Sequence, residues 1–332
     1  MEKAAPKMAA EKAVQEEFDA KLPEELEGPT TEHFMVFVVD IEHINGASQY
    51  FNANFFVRLR WNDTRLAKPR VAIRQIPMNE VWHPSVLLAN QQGVAFRSLP
   101  EVVQVHPDGM VVYLQRYTGK LSQPLLLGEF PRDTHNFTIQ FVATVHQANE
   151  LRFEPDFLKN NKDIRGGFMA NPLSLPDWEI LSYETGSEPY RPIEGIDSAA
   201  FSFQFRAKRH VGYYLWQVVL PLTVVVMMSW AAFWVGREHI GVRIVMATSS
   251  ILTLIAHRFV LASLLPRLPY MTRINYFTVG STFLVRLALI AVITTGYLAS
   301  HHREPQAQRI DLWARGAFPA AFFLLFTWFT YG

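Results

Sequence analysis

The sequence predicts an all-β sandwich followed by an all-α bundle of four membrane-spanning helices, on three observations. Between Phe34 and Arg209 the apolar residues recur with a period of two, as half-buried strands require. After residue 210 come four apolar stretches, each long enough for a bilayer core of roughly 30 Å. The second of these, Ile240 to Leu265, carries hydroxyls along one side of a helix where the others are mainly apolar.

The elements follow in order. Residues 1–32 read as a short polar helix and a tether: Ala, Glu and Lys dominate Ala9 to Lys21, and the run PEELEGPTT then breaks the pattern. Residues 33–209 form the sandwich. Phe55, Val57, Leu59 and Trp61 share one strand face while Phe56, Arg58 and Arg60 share the other. Phe137, Ile139, Phe141, Ala143 and Val145 group in the same way, and so do Phe201, Phe203 and Phe205. His106-Pro107-Asp108-Gly109 is expected to turn a hairpin, and Asn62-Asp63 to begin a connection. Lys159 to Leu175 and Thr185 to Ser198 read as the irregular segments. Residues 210–332 hold the spans, at about 211–236, 239–265, 272–298 and 310–331, with about ten residues around His301 to Gln308 between the last two. Arg286 lies mid-way along the third span and is expected to turn inward, since a lipid-facing arginine costs several kcal/mol. Arg258 and His257 are expected to add to such a buried polar patch.

Helical geometry orders the second span. At 100° per residue from Val245, the residues Glu238, Gly241, Thr248, Ser249, Leu252, Ala256, Phe259 and Ser263 fall within about 60° of one direction. Arg243 and Arg258 point nearly the opposite way. Hydroxyls facing only lipid gain nothing, whereas hydroxyls facing water do. A stripe running acid, small, aliphatic, hydroxyl, aliphatic, small, aromatic, hydroxyl suits a pore, where an acidic ring selects and an apolar section gates by dewetting. The alternative is a helix–helix interface whose hydroxyls bond back to their own carbonyls.

Composition excludes other classes. The chain has 332 residues, a formal net charge of +1, 49% hydrophobic residues and no cysteine. Near-zero charge gives no basic footprint for nucleic acid. Without cysteine there is no disulfide, thiol nucleophile or thiolate metal site. No HExxH, phosphate-binding glycine loop or nucleophile elbow is present, and the histidines are scattered, so no enzyme, metal or cofactor is expected. The opening MEKAAPKMAAEKAVQEEF is charged and lacks the apolar core of a signal peptide.

Several segments in fixed order resemble a known family. Trp61-Asn62-Asp63-Thr64-Arg65-Leu66 is similar to its W-x-D-x-R-L strand end, Trp82-His83-Pro84 to its W-x-P, and Phe130-Pro131-Arg132-Asp133 to the F-P-x-D of its signature loop. Pro221 precedes Ser229 to Trp234 in the first span, and Leu265-Pro266-Arg267-Leu268-Pro269-Tyr270 follows the second. Over residues 33–332 the chain resembles the pentameric ligand-gated ion channels, or Cys-loop receptors, in their prokaryotic form.

The resemblance implies a homopentamer in a bacterial inner membrane, with a sandwich of immunoglobulin-like topology outside and short loops inside. It also implies an extracellular agonist, either a small molecule or protons, and a pore passing monovalent cations. A non-conducting membrane sensor is the alternative. The positions of the loop cysteines are Gln123 and Phe137, so packing and hydrogen bonds must hold that loop. The agonist would bind under the hairpin Thr185 to Ser198, with Tyr190 near its tip; Asn90, His146 and Glu150 would come from the same subunit. Phe55, Arg58, Tyr113 and Arg116 would face it across the interface. Asp133 and Arg209 would pair between the domains, beside Pro131, with Pro269 and Tyr270 receiving the movement. Glu42 is the nearest acid to the first hairpin loop at Asn45-Gly46. At the base of the pore two alignments remain: anchored on Pro266, the base arginine is Arg243 with no acid immediately before it; anchored on the first span, Glu238 takes the acidic position. The alignments differ by four residues, so the same face lines the pore in both.

Overall fold

The computed structural model describes residues 29–331, apart from 159–160, 194–195 and 265–267. The polar helix expected within residues 1–32 lies outside the described residues up to 28, and Thr30 already opens the first strand. The chain divides into two units. One comprises residues 1–45, 49–125 and 134–208; the other comprises residues 46–48, 126–133 and 209–332.

Fifteen strands are present among the described residues: β1 (Thr30–Asn45), β2 (Tyr50–Asn62), β3 (Arg74–Pro77), β4 (Val86–Leu88), β5 (Gln91–Arg97), β6 (Val102–Val105), β7 (Met110–Ser122), β8 (Thr134–Gln147), β9 (Leu151–Pro155), β10 (Phe157–Leu158), β11 (Asn161–Arg165), β12 (Gly167–Met169), β13 (Trp178–Gly186), β14 (Tyr190–Ile193) and β15 (Ile196–Arg209). One sheet runs β12-β1-β2-β7-β6-β3, with β5 on β7 and β9 on β1; the other runs β13-β15-β8-β4, with β14 on β15. Both segments read as irregular contain strand, β11 and β12 in the first and β14 with the ends of β13 and β15 in the second, because their backbone groups find partners that local sequence cannot announce.

Aromatic side chains fill the space between the sheets. Phe34 from the first sheet stacks on Phe201 at 4.5 Å and meets Phe141 at 5.0 Å from the second. The motif residues have structural work. Asp63 is fully buried, accepts from Arg65 Nε and Nη2 at 2.8 and 2.7 Å, and caps the turn that follows β2. Trp61 and Trp82 pack edge to face at 6.2 Å. The turn after β6 closes through Gly109 N–H to His106 O at 3.1 Å; Gly109 has φ +90°, and an added Cβ would lie 2.7 Å from Asp63 O. The expected grouping of Val145 with Phe137, Ile139, Phe141 and Ala143 fails. Val145 is exposed and His146 is buried, because an irregularity in the β8–β15 register between Val142 and Gln147 reverses the alternation.

The second unit contains four helices long and apolar enough to cross a membrane: α1 (Gly212–Ala231), α2 (Ile240–Leu264), α3 (Arg273–Ser300) and α4 (Glu304–Tyr331). Within α1 the turn Leu215–Val219 widens to i→i+5 bonding just before Pro221, which has no N–H to give and crowds the preceding turn. The helix ends at Ala231, five residues before the apolar stretch does. The carbonyls beyond it are taken by arginines, Ala232 O by Arg243 Nε at 2.9 Å and Phe233 O by Arg315 Nε at 3.0 Å. Only His301, His302 and Arg303 separate α3 from α4, against the ten residues expected. Pro305 fits the first turn of α4, so the helix starts upstream of the apolar run. An added Cβ at Gly280 would lie 2.8 Å from Leu325, which is how closely α3 and α4 approach.

Candidate functional site

The second helix has two faces. Arg243, Ala247, Ser250, Leu254 and Leu261 are buried among the other helices. Gly241, Val245, Thr248, Ser249, Leu252, Ala256 and Phe259 are exposed, and so is Glu238 in the 3₁₀ turn Arg237–His239 that leads into the helix. Leu252 and Phe259 are 70% and 74% exposed, left uncovered by the other described helices of the chain. The side chain of Ser263 lies outside what is described. The exposed hydroxyls bond to their own helix: Thr248 Oγ1 donates to Ile244 O at 2.8 Å, and Thr253 Oγ1 to Ser249 O at 2.9 Å. Their oxygen lone pairs remain available to accept a further hydrogen bond.

The buried face is held by charge. Arg243, with no exposed surface, donates to Asp311 from Nη2 at 2.5 Å and Nη1 at 3.2 Å. Arg237 reaches Glu304 at 2.7 Å. These pairs join the start of α2 to the start of α4. Sequence reasoning missed Asp311; the acid spaced one helical turn from Ala307 and Ala314, on the buried face of α4, was the available signal. Arg258 and Arg286 are exposed on the single chain rather than turned inward as expected.

Asp133 and Arg209 are both buried and form a bidentate pair, Nε to Oδ1 and Nη2 to Oδ2 at 2.9 Å each. The guanidinium also lies 4.9 Å from the Phe130 ring, and Arg209 N–H donates to Asp133 O at 3.2 Å. Pro131 is buried in the same segment and Pro269 is exposed. Leu127 N–H donates to the Tyr270 hydroxyl at 3.0 Å, and Glu129 pairs with Arg273 at the start of α3. Segment 126–133 is thus tied to the end of β15, to Tyr270 and to α3.

Gln123 Oε1 accepts from Thr138 N–H at 3.1 Å, so an amide side chain just beyond β7 bridges to β8. Phe137 beside it is buried, stacked on Phe205 at 5.0 Å and edge-on to Trp178 at 5.6 Å.

The agonist candidates divide. Tyr190 is exposed on β14, and the pair Arg191–Asp197 at 2.9 Å crosses its hairpin. His146 packs on Trp82 at 5.6 Å with Glu150 Oε2 3.6 Å away. Asn90 is engaged structurally, donating to Thr138 O at 2.6 Å and accepting from Gln140 N–H at 3.2 Å. Phe55 and Tyr113 are buried inside the sandwich, Phe55 against Tyr117 and Phe141, and a side chain buried within one subunit has no surface to offer a neighbour. Tyr113 instead lines the base of a partly open cleft of about 230 Å³, with exposed Asn79, Arg97 and Glu101 among its walls and Tyr117 beside it, whose phenol burial pushes up to about 12. Arg58 and Arg60 both grip the buried Asp156, at 2.7 and 2.6 Å. Arg116 donates to Asn54 Oδ1 at 3.0 Å and lies over Phe56. Both Arg58 and Arg116 keep part of their surface. Glu42 is exposed on β1.

The sequence was compared with known proteins. Residues 13–210 match the neurotransmitter-gated ion-channel ligand binding domain, and residues 218–326 match the neurotransmitter-gated ion-channel transmembrane region. A proton-gated ion channel of Gloeobacter violaceus is 25% identical over 305 residues, covering 89% of this chain and 81% of that one. A gamma-aminobutyric acid receptor subunit beta-4 of Gallus gallus is 23% identical over 313 residues, with 89% of this chain spanning 62% of the subunit. With a ligand-binding sandwich, four apolar helices and both family regions matched in order, the chain belongs to the neurotransmitter-gated ion channels: it is a membrane-spanning ligand-gated ion channel and not an enzyme.

Proposed function

We propose that five identical copies form a cation-selective channel whose pore is lined by the exposed stripe of α2, from Glu238 through Gly241, Val245, Thr248, Ser249, Leu252, Ala256 and Phe259 to Ser263. The observation that carries this is the sorting of one helix into a buried face anchored by Arg243 and an exposed face bearing hydroxyls and an acid. Five Glu238 carboxylates at one mouth would concentrate cations electrostatically. Leu252, Ala256 and Phe259 form the apolar section that dewets when the channel closes. The opening signal arrives at the sandwich, as a small molecule or a pH change. Tyr190, His146 and Glu150 are the residues best placed to receive a small molecule. The proton-gated relative favours testing pH first. Asp133, Arg209, Pro131, Pro269 and Tyr270 carry the movement toward the helices.

Planar-bilayer recording over a pH series and an amine panel, in a NaCl gradient, tests this. The expected result is a current that reverses toward the Na⁺ potential, with Glu238→Gln lowering unit conductance or the Na⁺/Cl⁻ preference. Reversal toward the Cl⁻ potential overturns cation selectivity. No current under any condition, from pentamers inserted in the bilayer, favours the non-conducting sensor.

A further inference from the structure

Glu32 is an acid with no reason to be where it is. Its side chain is fully buried on the inner face of β1, in the alternation Thr30, Glu32, Phe34. Neither carboxyl oxygen has a hydrogen-bond partner among the described residues. In the parallel β1–β9 ladder Glu32 sits opposite Phe153. The antiparallel register that pairs His33 with Arg60 carries it beside Trp61 on the other side. Trp61 and Phe153 are both buried, and the Trp61 indole N–H is likewise unpartnered.

The surrounding charges do not serve it. His33 on its own strand, Arg60 on β2, and Arg152 and Glu154 on β9 alternate to the outer face, where Arg60 is taken by Asp156. Asp63, just beyond β2, is held by Arg65. From the facing sheet, His146 of β8 lies on Trp82 near Glu150, and Asp197 of β15 pairs with Arg191; β4 carries no titratable group. An ionised carboxylate in such a place would cost many times what a neutral one does, so burial holds the Glu32 carboxyl well above its ordinary range.

At this end β1 is held by the parallel β9 ladder over Thr30–Phe34, while β2 pairs it from His33 onward; Thr30 N–H also donates to Glu150 O at 2.8 Å, and Glu150 N–H to Gln147 O at 3.0 Å. We propose that Glu32 is a proton-binding site of the extracellular sandwich: neutral while β1 and β9 are closed, and ionised when that end opens, so that external pH sets how readily it loosens. The proposal rests on the sandwich being the receiver of the opening signal and names the proton as its regulator.

The direction follows from linkage. An opened carboxyl ionises near its ordinary value of about 4.3. Closure is fully retained below that pH, weakens as pH rises because opening then releases a proton, and stops weakening once the packed group itself ionises. One proton allows up to about a tenfold rise in the opening constant per pH unit.

Hydrogen exchange of the detergent-solubilised full-length channel is the test, followed at Thr30–Val36 and Leu151–Phe153 and corrected for intrinsic exchange at each pH. Protection in the unsubstituted protein is expected to fall as pH rises above the ordinary carboxylate range. Glu32→Gln, or Glu32→Met should the amide fail to assemble, is expected to abolish that dependence. Pentamers whose protection there is pH-independent, or equally pH-dependent with and without Glu32, overturn the proposal. The exchange is read without current, so a conducting channel with flat exchange loses only the Glu32 site. Glu32-dependent exchange in a chain that never conducts leaves that site standing and removes the channel function instead.

Discussion

The two faces of α2 contain the same kinds of residue and differ in almost everything else. Ser250 on the buried face and Thr248 on the exposed face each donate to a carbonyl one turn back, at 2.8 Å. A hydroxyl in a membrane helix therefore says little by itself about whether it meets water. What separates the faces is the company each keeps. Arg243 is locked to Asp311 on one face, while on the other Leu252 and Phe259 stay mostly exposed. The buried face is fixed by a charge pair that must be complete, and the exposed face is left free to pack or to wet.

The largest expected effect lies on the buried face. Asp311→Leu alone strands the buried Arg243 charge and should cost about 3–5 kcal/mol, abolishing assembly or lowering Tm sharply, while Arg243→Met should cost less, since Arg237 Nε still lies 3.8 Å from Asp311. The double substitution replaces the pair with apolar volume and should recover most of the loss. Thermal unfolding of the four purified channels reads the difference. A double variant no better than the worse single one would show that the pair contributes more than charge compensation.

A comparable pair should behave differently in gating. Asp133→Asn and Arg209→Gln each leave one member of a buried bidentate pair unmatched. Both should impair activation, and the double variant should be less harmful than the sum of the two. Strict additivity of the activation free energies, measured on surface-expressed channels, would show that the two are not coupled. On the exposed face the effects are smaller and of opposite sign. Leu252→Ser should ease wetting of the apolar section and raise basal current or agonist sensitivity several-fold. A variant that expresses normally yet needs more agonist would remove Leu252 from the gate.

The sequence made some of this legible, for physical reasons. Helical phase is fixed at 100° per residue, so which residues of α2 share a direction with Val245, and that Arg243 points away from them, could be drawn before any coordinates. The Asp133–Arg209 pair was expected from motif order and is joined as expected. What stayed hidden depended on partners distant in sequence. Asp311 is an ordinary helix acid until Arg243, 68 positions away, lies beside it. The register irregularity in β8, which turns His146 inward and Val145 outward, is set by pairing with β15. Phe55 and Tyr113 looked available as aromatics in strands, and only the packing of two sheets shows them enclosed. Glu32 could not be picked out, since alternation alone does not say that an acid occupies a core position.

The absence of cysteine from all 332 residues makes the central claim directly measurable. Single cysteines at Thr248, Leu252 and Ala256, and at Ala247, Ser250 and Leu254 as the buried-face set, can be treated with a small charged thiol reagent during recording. The account predicts that reagent added to open channels blocks or reduces current through the first three and leaves the last three unchanged. Modification that blocks current from the Ala247, Ser250 and Leu254 positions while sparing Thr248, Leu252 and Ala256 would contradict it.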